Sequence, residues 1–253
     1  MDYKKLFEQI IIDIKTNPYL ELTEYKFNEG LNSKELEKLI TELHESSSFY
    51  KKIKMESVFN FYSQFNGLTI KWKLSSKLDA LSYKKLPELF TDLELPFKRD
   101  IEIGCINILP FEDVFIYEQD YFDKSETGDF FTHFGDYVYE GNSFGNMLYL
   151  FDLYSETDCM SFLPDEDNQE PKVVYLSDYY IVWDNTKVSF FDSYIIFLAA
   201  TRGLINSREQ IFDFYRGDKE KPIIFKTIPY NTEIEPTIFQ KDKIAFANKV
   251  YKN

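Results

Sequence analysis

The beginning of the chain carries hydrophobic residues at the spacing of an α-helix. Within residues 3–15 apolar positions recur every three or four residues, which predicts an amphipathic helix. Its apolar stripe consists of Leu6, Phe7, Ile10, Ile11 and Ile14. The pattern ends at Asn17-Pro18, because proline cannot continue a helix.

A second helix is predicted to begin after Asn32, with Glu35 three residues further on. This pair has the spacing of a capping box, in which each side chain accepts a hydrogen bond from the other residue's backbone N–H. The apolar stripe of this helix consists of Leu36, Leu39, Ile40 and Leu43. We therefore expect one face of this helix to be buried.

A third predicted helix passes directly into a strand at Asn66-Gly67. Its apolar residues are Val58, Phe59, Phe61, Tyr62 and Phe65. After Gly67 the spacing becomes alternating, the period of a half-buried strand. The apolar positions are Leu68, Ile70, Trp72 and Leu74, and the outer face carries Thr69, Lys71 and Lys73. Because glycine accepts the left-handed conformation that often ends a helix, we expect a positive φ at Gly67.

The rest of the chain is predicted to contain mainly short strands. A short helix is expected near residues 84–93, followed by a buried strand from Ile101 to Leu109 that Pro110 closes. Further strands are predicted at Tyr137–Tyr139, Met147–Phe151, Val173–Leu176, Tyr180–Trp183 and Lys187–Phe190. A last short helix is expected near residues 208–216.

Ser189 and Asp192 have the spacing of another capping box and predict a further helix. Phe191, Ile195 and Leu198 lie on one face of this helix, and Gly203 is expected to close it. The order of predicted elements is helices, then strands, then helices, which favours an α+β fold. We expect a single domain over residues 1–253, because the sequence shows neither a linker nor an internal repeat.

The hydrophobic segments predict a soluble protein. The first apolar run, Ile10-Ile11-Ile12, is too short for a signal peptide. The longest apolar stretch near the C-terminus, Tyr194–Ala200, is far shorter than the ~20 residues that span a bilayer. We expect a cytoplasmic protein with reduced thiols and no membrane partner.

Charge is concentrated in one part of the chain. The 253 residues include 43 acidic and 29 basic residues, a net charge of −14. The segment Glu112–Glu170, called the acidic window below, holds 16 acidic and 14 aromatic residues and one base, Lys124. Its field repels phosphates, which disfavours nucleic-acid binding, and attracts a basic protein. Alternatively, these acids only solvate loops around a core rich in Phe and Tyr.

The sequence contains no strong metal-binding pattern. Cys105 and Cys159 lie 54 positions apart, and His44 and His133 are isolated, whereas zinc ligands are usually grouped in short spacings. Residues 123–129 resemble the start of a calcium-binding EF-hand loop. The bidentate glutamate expected at its twelfth position is Phe134. We predict no metal and no cofactor.

Catalytic motifs are also missing from the sequence. A Cys105–His133 dyad would need a fold that brings the two together, and Cys105 lies in an apolar strand pattern typical of an inert core thiol. Residues 141–146 are glycine-containing but lack the lysine and hydroxyl residues of a phosphate-binding loop. We predict a protein that is not an enzyme.

Four segments resemble the SUKH superfamily, which includes the yeast Knr/Smi-type cell-wall synthesis regulators and many bacterial immunity proteins. Phe59–Trp72 resembles its helix–Asn-Gly–strand signature, and Gly104–Pro110 and Leu148–Asp152 look like later strands. Val188–Leu198, with Gly203, looks like the closing element in which a strand and Ser-Phe precede a helix. The resemblance covers residues 32–205. It leaves an N-terminal helical extension, 1–31, and a C-terminal extension, 206–253.

The resemblance implies an α+β domain with a mixed or antiparallel sheet backed by helices. It also implies a protein that neutralises a cognate polymorphic toxin, often a nuclease, by binding it. The alternative is a regulatory or scaffolding module of the Knr/Smi type. The acidic window suits a basic partner, with carboxylates facing its Lys and Arg and aromatics adding contact area. The predicted partner-binding residues are Asp120, Tyr121, Phe122, Asp123, Glu126, Asp129, Phe130, Asp136 and Tyr137.

Overall fold

The computed structural model describes residues 1–17, 20–75, 102–117, 148–155, 158–166, 169–177, 180–181 and 188–205. Three predicted elements lie outside the described residues: the helix near 84–93, the strand Tyr137–Tyr139 and the helix near 208–216. The described part contains both helices and an antiparallel sheet, so the predicted α+β class is confirmed.

Five α-helices lie in the described residues. They are α1 (Tyr3–Thr16), α2 (Ser33–Ser46), α3 (Glu56–Tyr62), α4 (Phe111–Phe115) and α5 (Phe191–Thr201), and a short 3₁₀ helix spans Tyr50–Lys52. The first predicted helix is confirmed, and so is the capping box of α2. Asn32 Oδ1 accepts from the backbone N–H of Glu35 at 3.1 Å, and the Glu35 carboxylate accepts from the backbone N–H of Asn32 at 3.0 Å.

The closing helix also follows its sequence pattern. Phe191, Ile195 and Leu198 of α5 are fully buried. Gly203 has a φ of +73°, and its backbone N–H donates to the carbonyl of Leu198 at 3.0 Å. This bond satisfies a carbonyl at the end of the helix, as a glycine C-terminal cap does.

Eight strands in the described ranges form one sheet. They are β1 (Leu20–Glu29), β2 (Phe65–Leu74), β3 (Glu102–Ile108), β4 (Tyr149–Asp152), β5 (Cys159–Leu163), β6 (Lys172–Ser177), β7 (Tyr180–Ile181) and β8 (Val188–Phe190). The order is β1-β2-β3-β4-β5-β6-β7, and β8 also pairs with β6. The pairings among β3–β8 are antiparallel, with Met160 opposite Tyr175 and Val173 opposite Ser189, for example.

The alternating pattern of β2 is confirmed. Leu68, Ile70, Trp72 and Leu74 are all buried. The lysines between them lie on the outer face, where Lys71 pairs with Glu24 at 2.9 Å and Lys73 with Glu21 at 3.6 Å. The acidic side chains of β1 therefore neutralise the basic outer face that the sequence predicts for β2.

The predicted end of the third helix is wrong. Helix α3 ends at Tyr62, and β2 begins at Phe65, so Asn66 and Gly67 belong to the strand. The carbonyl of Tyr62, the last residue of the helix, accepts the backbone N–H of Leu31 at 2.9 Å. The helix therefore ends at a hydrogen bond to a distant segment. A Cβ on Gly30 would approach the carbonyl oxygen of Ser63 to 2.2 Å, so the two backbones are in close contact there.

The positive φ predicted at Gly67 is confirmed, at +85°, but its cause differs from the expected one. Gly67 does not close a helix; it lies inside β2 against the segment that follows β3. A Cβ there would approach the backbone nitrogen of Pro110 to 2.8 Å and the carbonyl oxygen of Ile108 to 2.9 Å. Close backbone approach therefore requires glycine in addition to the backbone conformation.

Two strands have no counterpart in the sequence analysis. Strand β1 lies within the segment predicted as a helical extension, and in the described part of that segment only α1 is helical. Its residues are half-buried or exposed without regular alternation, and its apolar residues change phase between Leu22 and Tyr25, so no period-2 pattern runs through the strand. All five residues of β5 are buried, including Ser161, and a short strand buried on both faces does not alternate either.

The chain divides into two compact units that interleave along the sequence. Unit 1 comprises Met1–Lys4, Lys26–Thr69 and Ile106–Ile195, and unit 2 comprises Lys5–Tyr25, Ile70–Cys105 and Ile196–Asn253. In unit 2, Trp72 packs on Gly104 and donates from Nε1 to the carbonyl of Arg202 at 2.7 Å. No helix of the described residues is long and apolar enough to cross a membrane.

Candidate functional site: an acidic groove of unit 1

All nine predicted partner-binding residues lie outside the described residues. They are Asp120, Tyr121, Phe122, Asp123, Glu126, Asp129, Phe130, Asp136 and Tyr137. The described part of the acidic window nevertheless contributes to a groove in unit 1 with a volume of about 520 Å³. The groove is lined by Glu29, Gly30, Leu31, Asn32, Glu35, Lys38, Leu39, Asn66 and Glu112.

The beginning of α2 forms one wall of the groove. Asn32 Oδ1 accepts from the backbone N–H groups of Lys34 and Glu35 at 3.0 and 3.1 Å. The Glu35 carboxylate turns back to the N–H of Asn32, which holds that carboxylate at the groove. Leu31 and Leu39 are buried and provide the apolar lining. The capping box thus fixes the position of this groove wall in addition to stabilising the beginning of α2.

Asn66, another residue of the groove lining, joins three segments. Its Oδ1 accepts the backbone N–H of Phe111 at 2.8 Å, the first residue of α4. Its Nδ2 donates to the Glu112 carboxylate at 3.1 Å, and its carbonyl accepts from the side chain of Asn28 at 2.7 Å. The helix needs this help because Pro110, which precedes it, provides no side-chain cap. Asn66 therefore caps α4 and positions Glu112 at once.

The groove carries a net negative charge. Its lining includes the carboxylates of Glu29, Glu35 and Glu112 and one cation, Lys38. Lys38 pairs with Glu42 at 3.5 Å, one turn further along α2. The side chain of Glu29 makes neither a hydrogen bond nor an ion pair in the part of the chain that the structure describes. Carboxylates are the side chains that pair with ammonium and guanidinium groups.

The thiols and the described histidine do not form a reactive site. Cys105 and Cys159 are free and buried. Burial, with a smaller effect of Asp152, raises the pKa of Cys159 to about 12, so the thiol stays protonated at neutral pH. Burial and the nearby Lys51 lower the pKa of His44. His133 lies outside the described residues, within which no group of three His, Cys, Asp or Glu side chains could hold a metal ion.

Two tyrosine–carboxylate pairs lie in unit 1 and were not anticipated from the sequence. The hydroxyl of Tyr3 donates to Asp192 and lies 3.1 Å from the carbonyl of Ser57, and the hydroxyl of Tyr194 donates to Asp152. Burial, and then the Asp192 hydrogen bond, raise the pKa of Tyr3 far above its usual value. Asp192 is thus bonded to a residue 189 positions earlier in the sequence, and the side chain of Ser189, its predicted capping partner, lies outside the described residues.

No protein-family model, curated protein or solved structure matches this chain. The fold and the groove define an α+β protein with an antiparallel sheet and an acidic recess. The resemblance to the SUKH superfamily stays a prediction from the sequence motifs.

Proposed function

We propose that this chain is a non-enzymatic binding protein that neutralises a cognate toxin, a basic protein, by direct contact. The observation that carries the proposal is the groove, where three carboxylates and one lysine surround a cavity large enough for a Lys or Arg side chain. Glu112 of the groove is also the first residue of the acidic window, so the groove adjoins in sequence the segment with 16 acidic residues. The SUKH-like fold is part of this proposal.

Charge complementarity gives the proposal its physical basis. A surface of one sign speeds the encounter with a partner of the opposite sign and excludes partners of the same sign. A nuclease carries a cationic cleft for its phosphate substrate, and an acidic partner can block that cleft. The proposal therefore places the neutralising contact in the cytoplasm, where such a toxin would reach nucleic acid.

An exposed aromatic residue supports a protein partner. Tyr117 follows α4 and is 62% exposed, and its backbone N–H bonds to the carbonyl of Glu112 at 2.8 Å. Tyrosine contributes large contact area at interfaces with little loss of side-chain entropy. Steering charges and an aromatic anchor thus occur in one short segment.

The direct test uses the protein encoded by the gene next to that of this chain. Expressed alone it should arrest growth, and coexpression of this chain should restore growth. The double variant Glu29→Gln/Glu112→Gln removes two groove charges, while the amide oxygen introduced at position 112 can still accept from Asn66. We expect this variant to weaken binding of the adjacent protein about tenfold in calorimetry at low salt.

A matched control removes the same charge elsewhere. Glu37 and Glu45 are exposed residues of α2 that do not line the groove. Glu37→Gln/Glu45→Gln should bind and protect as the wild type does. Equal weakening in both double variants would reject the groove as the contact, and an adjacent protein that is harmless or unbound would reject the toxin-neutralising function.

The volume of the groove favours one further candidate function, a regulatory or scaffolding module that binds a small ligand. Sites for small molecules have volumes of about 300 to 1,000 Å³, and the groove falls in this range. A small cationic ligand such as spermidine should then bind the wild type and fail to bind the Glu29→Gln/Glu112→Gln variant. Under the toxin-neutralising proposal, the adjacent protein should bind the wild type far more tightly than spermidine does.

A further inference from the structure

Two residues other than glycine adopt the left-handed conformation at one junction of unit 1. Met55 has φ +55° and ψ +36°, and Gln169 has φ +60°. The two are hydrogen-bonded: the carbonyl of Gln169 accepts the backbone N–H groups of Lys54 at 3.0 Å and Met55 at 3.1 Å. Left-handed backbone is unfavourable for both residue types, so the surrounding contacts must hold this conformation.

Those contacts come from the residues on either side of Gln169. Glu170 accepts the backbone N–H of Ser57 at 3.0 Å and its hydroxyl at 2.8 Å. Met55, which precedes α3, offers no capping side chain, so Glu170 supplies the cap. Glu166 pairs with Lys52 at 2.7 Å, and its carbonyl accepts from the Gln169 side chain at 2.6 Å. Glu166, Gln169 and Glu170, called the latch below, thus bind the segment that leads into α3.

The latch combines backbone strain with contacts that are easily exchanged for water. The Lys52 and Glu166 side chains are 55% and 56% exposed, and ion pairs at such positions contribute little to stability. The side chain of Met55 is completely buried and stays within the core. Opening would release the strain at Gln169 and replace the other bonds by bonds to water, without loss of the Met55 packing. Glu166 is exposed and Gln169 and Glu170 are half-buried, so little apolar contact would be lost on opening.

We propose that the latch is a two-state device that opens locally while the rest of unit 1 stays folded. In the closed state Glu170 is bonded to Ser57 and Glu166 to Lys52. In the open state both carboxylates of the acidic window face solvent without these partners. The free negative charge of unit 1 therefore depends on the state of the latch. This property belongs to the chain alone and does not depend on the proposed partner.

Amide hydrogen exchange of the full chain tests the device. The backbone amides of Lys54 and Met55, which bond to Gln169, should exchange at least tenfold faster than those of the buried strand Cys159–Leu163. That strand reports global unfolding. If all these amides exchange at one common rate, the segment opens only when the protein unfolds, and the proposal fails.

Two variants at Gln169 make the test specific for the strained backbone. Asparagine accepts the left-handed conformation more readily than glutamine, and valine accepts it poorly. Relative to the strand amides, exchange at Lys54 and Met55 should be at least several-fold slower in Gln169→Asn than in Gln169→Val. Both variants lose the Gln169 side-chain bond to Glu166, so their difference isolates the backbone. Equal relative rates in Gln169→Asn and Gln169→Ala, which lacks the same side-chain bond and accepts the left-handed conformation less readily, would overturn the proposal even if Gln169→Val does not fold.

Discussion

At the scale of single residues, the hydrogen bonds that shape unit 1 join side chains to distant backbone. Asn66 caps a helix that begins 45 residues later, and Glu170 caps one that begins 114 residues earlier. In both cases the residue that precedes the helix, Pro110 or Met55, cannot provide the cap. In each case a polar side chain that is distant in sequence caps the helix, whereas in most helices the residue directly before the first turn does so.

Gly67 is the position where one added side chain should cost most. Gly67→Val would place a β-branched residue at φ +85°, with its Cβ 2.8 Å from the nitrogen of Pro110. We expect the free energy of unfolding to fall by more than about 1 kcal/mol in urea denaturation. Gly67→Ala should show most of this loss, because the contact is made by Cβ. An unchanged midpoint for both variants would contradict the geometry.

At the scale of elements, strand β2 is stabilised by ion pairs with the neighbouring strand β1. The outer face of β2 would expose Lys71 and Lys73, and β1 supplies Glu24 and Glu21 opposite them. The hydrogen bond to Glu24 is the main reason why the pKa of Lys71 is raised. Strand β1 therefore contacts β2 through ion pairs and through the rings of Phe27 and Phe65, whose centroids lie 5.1 Å apart.

Helix α4 is five residues long and should depend strongly on its cap. Asn66→Ala removes the acceptor for the N–H of Phe111 and the donor to Glu112. We expect a loss of about 1–2 kcal/mol in the free energy of unfolding, as for other lost N-caps. In the Glu112→Gln background, which avoids two adjacent carboxylates, Asn66→Asp keeps the acceptor and should lose less stability than Asn66→Ala. If the two variants are equally stable, the side chain of Asn66 does not act as a cap.

At the scale of the whole molecule, buried tyrosine and cysteine side chains keep their protons. The free energy of unfolding should therefore fall at alkaline pH. Burial is the main cause that raises the pKa of Tyr3, Tyr50, Tyr62 and Cys159. These groups keep their protons in the folded state when the unfolded chain has lost them. Their stabilising contribution is complete below the unfolded pKa and is lost as pH rises toward the folded pKa.

We therefore expect the free energy of unfolding to decrease with pH from about pH 9 upward, by as much as about 1.4 kcal/mol per unit for each such group. Urea denaturation at a series of pH values measures this slope. Tyr62→Phe removes one of the groups, so its slope should be smaller than that of the wild type. A wild-type free energy that stays constant up to about pH 11 would contradict the burial of these groups.

The sequence by itself determined the elements that have a strong local signal. Helices α1 and α2, the alternation of β2 and the burial of one face of α5 follow from side-chain period, and the capping box follows from two residues three positions apart. These features depend on interactions within one turn of a helix or along one strand, so the neighbouring residues are sufficient to specify them.

Only the tertiary structure decided where α3 ends, why Gly67 must be glycine and which side chains face the groove. The carbonyl of Tyr62 bonds to Leu31, Gly67 packs against Pro110, and Asn66 reaches the start of α4, all across more than 30 positions of sequence. Strands β1 and β5 likewise depend on the sheet around them. A local pattern carries no information about such partners, because chain folding alone brings them together.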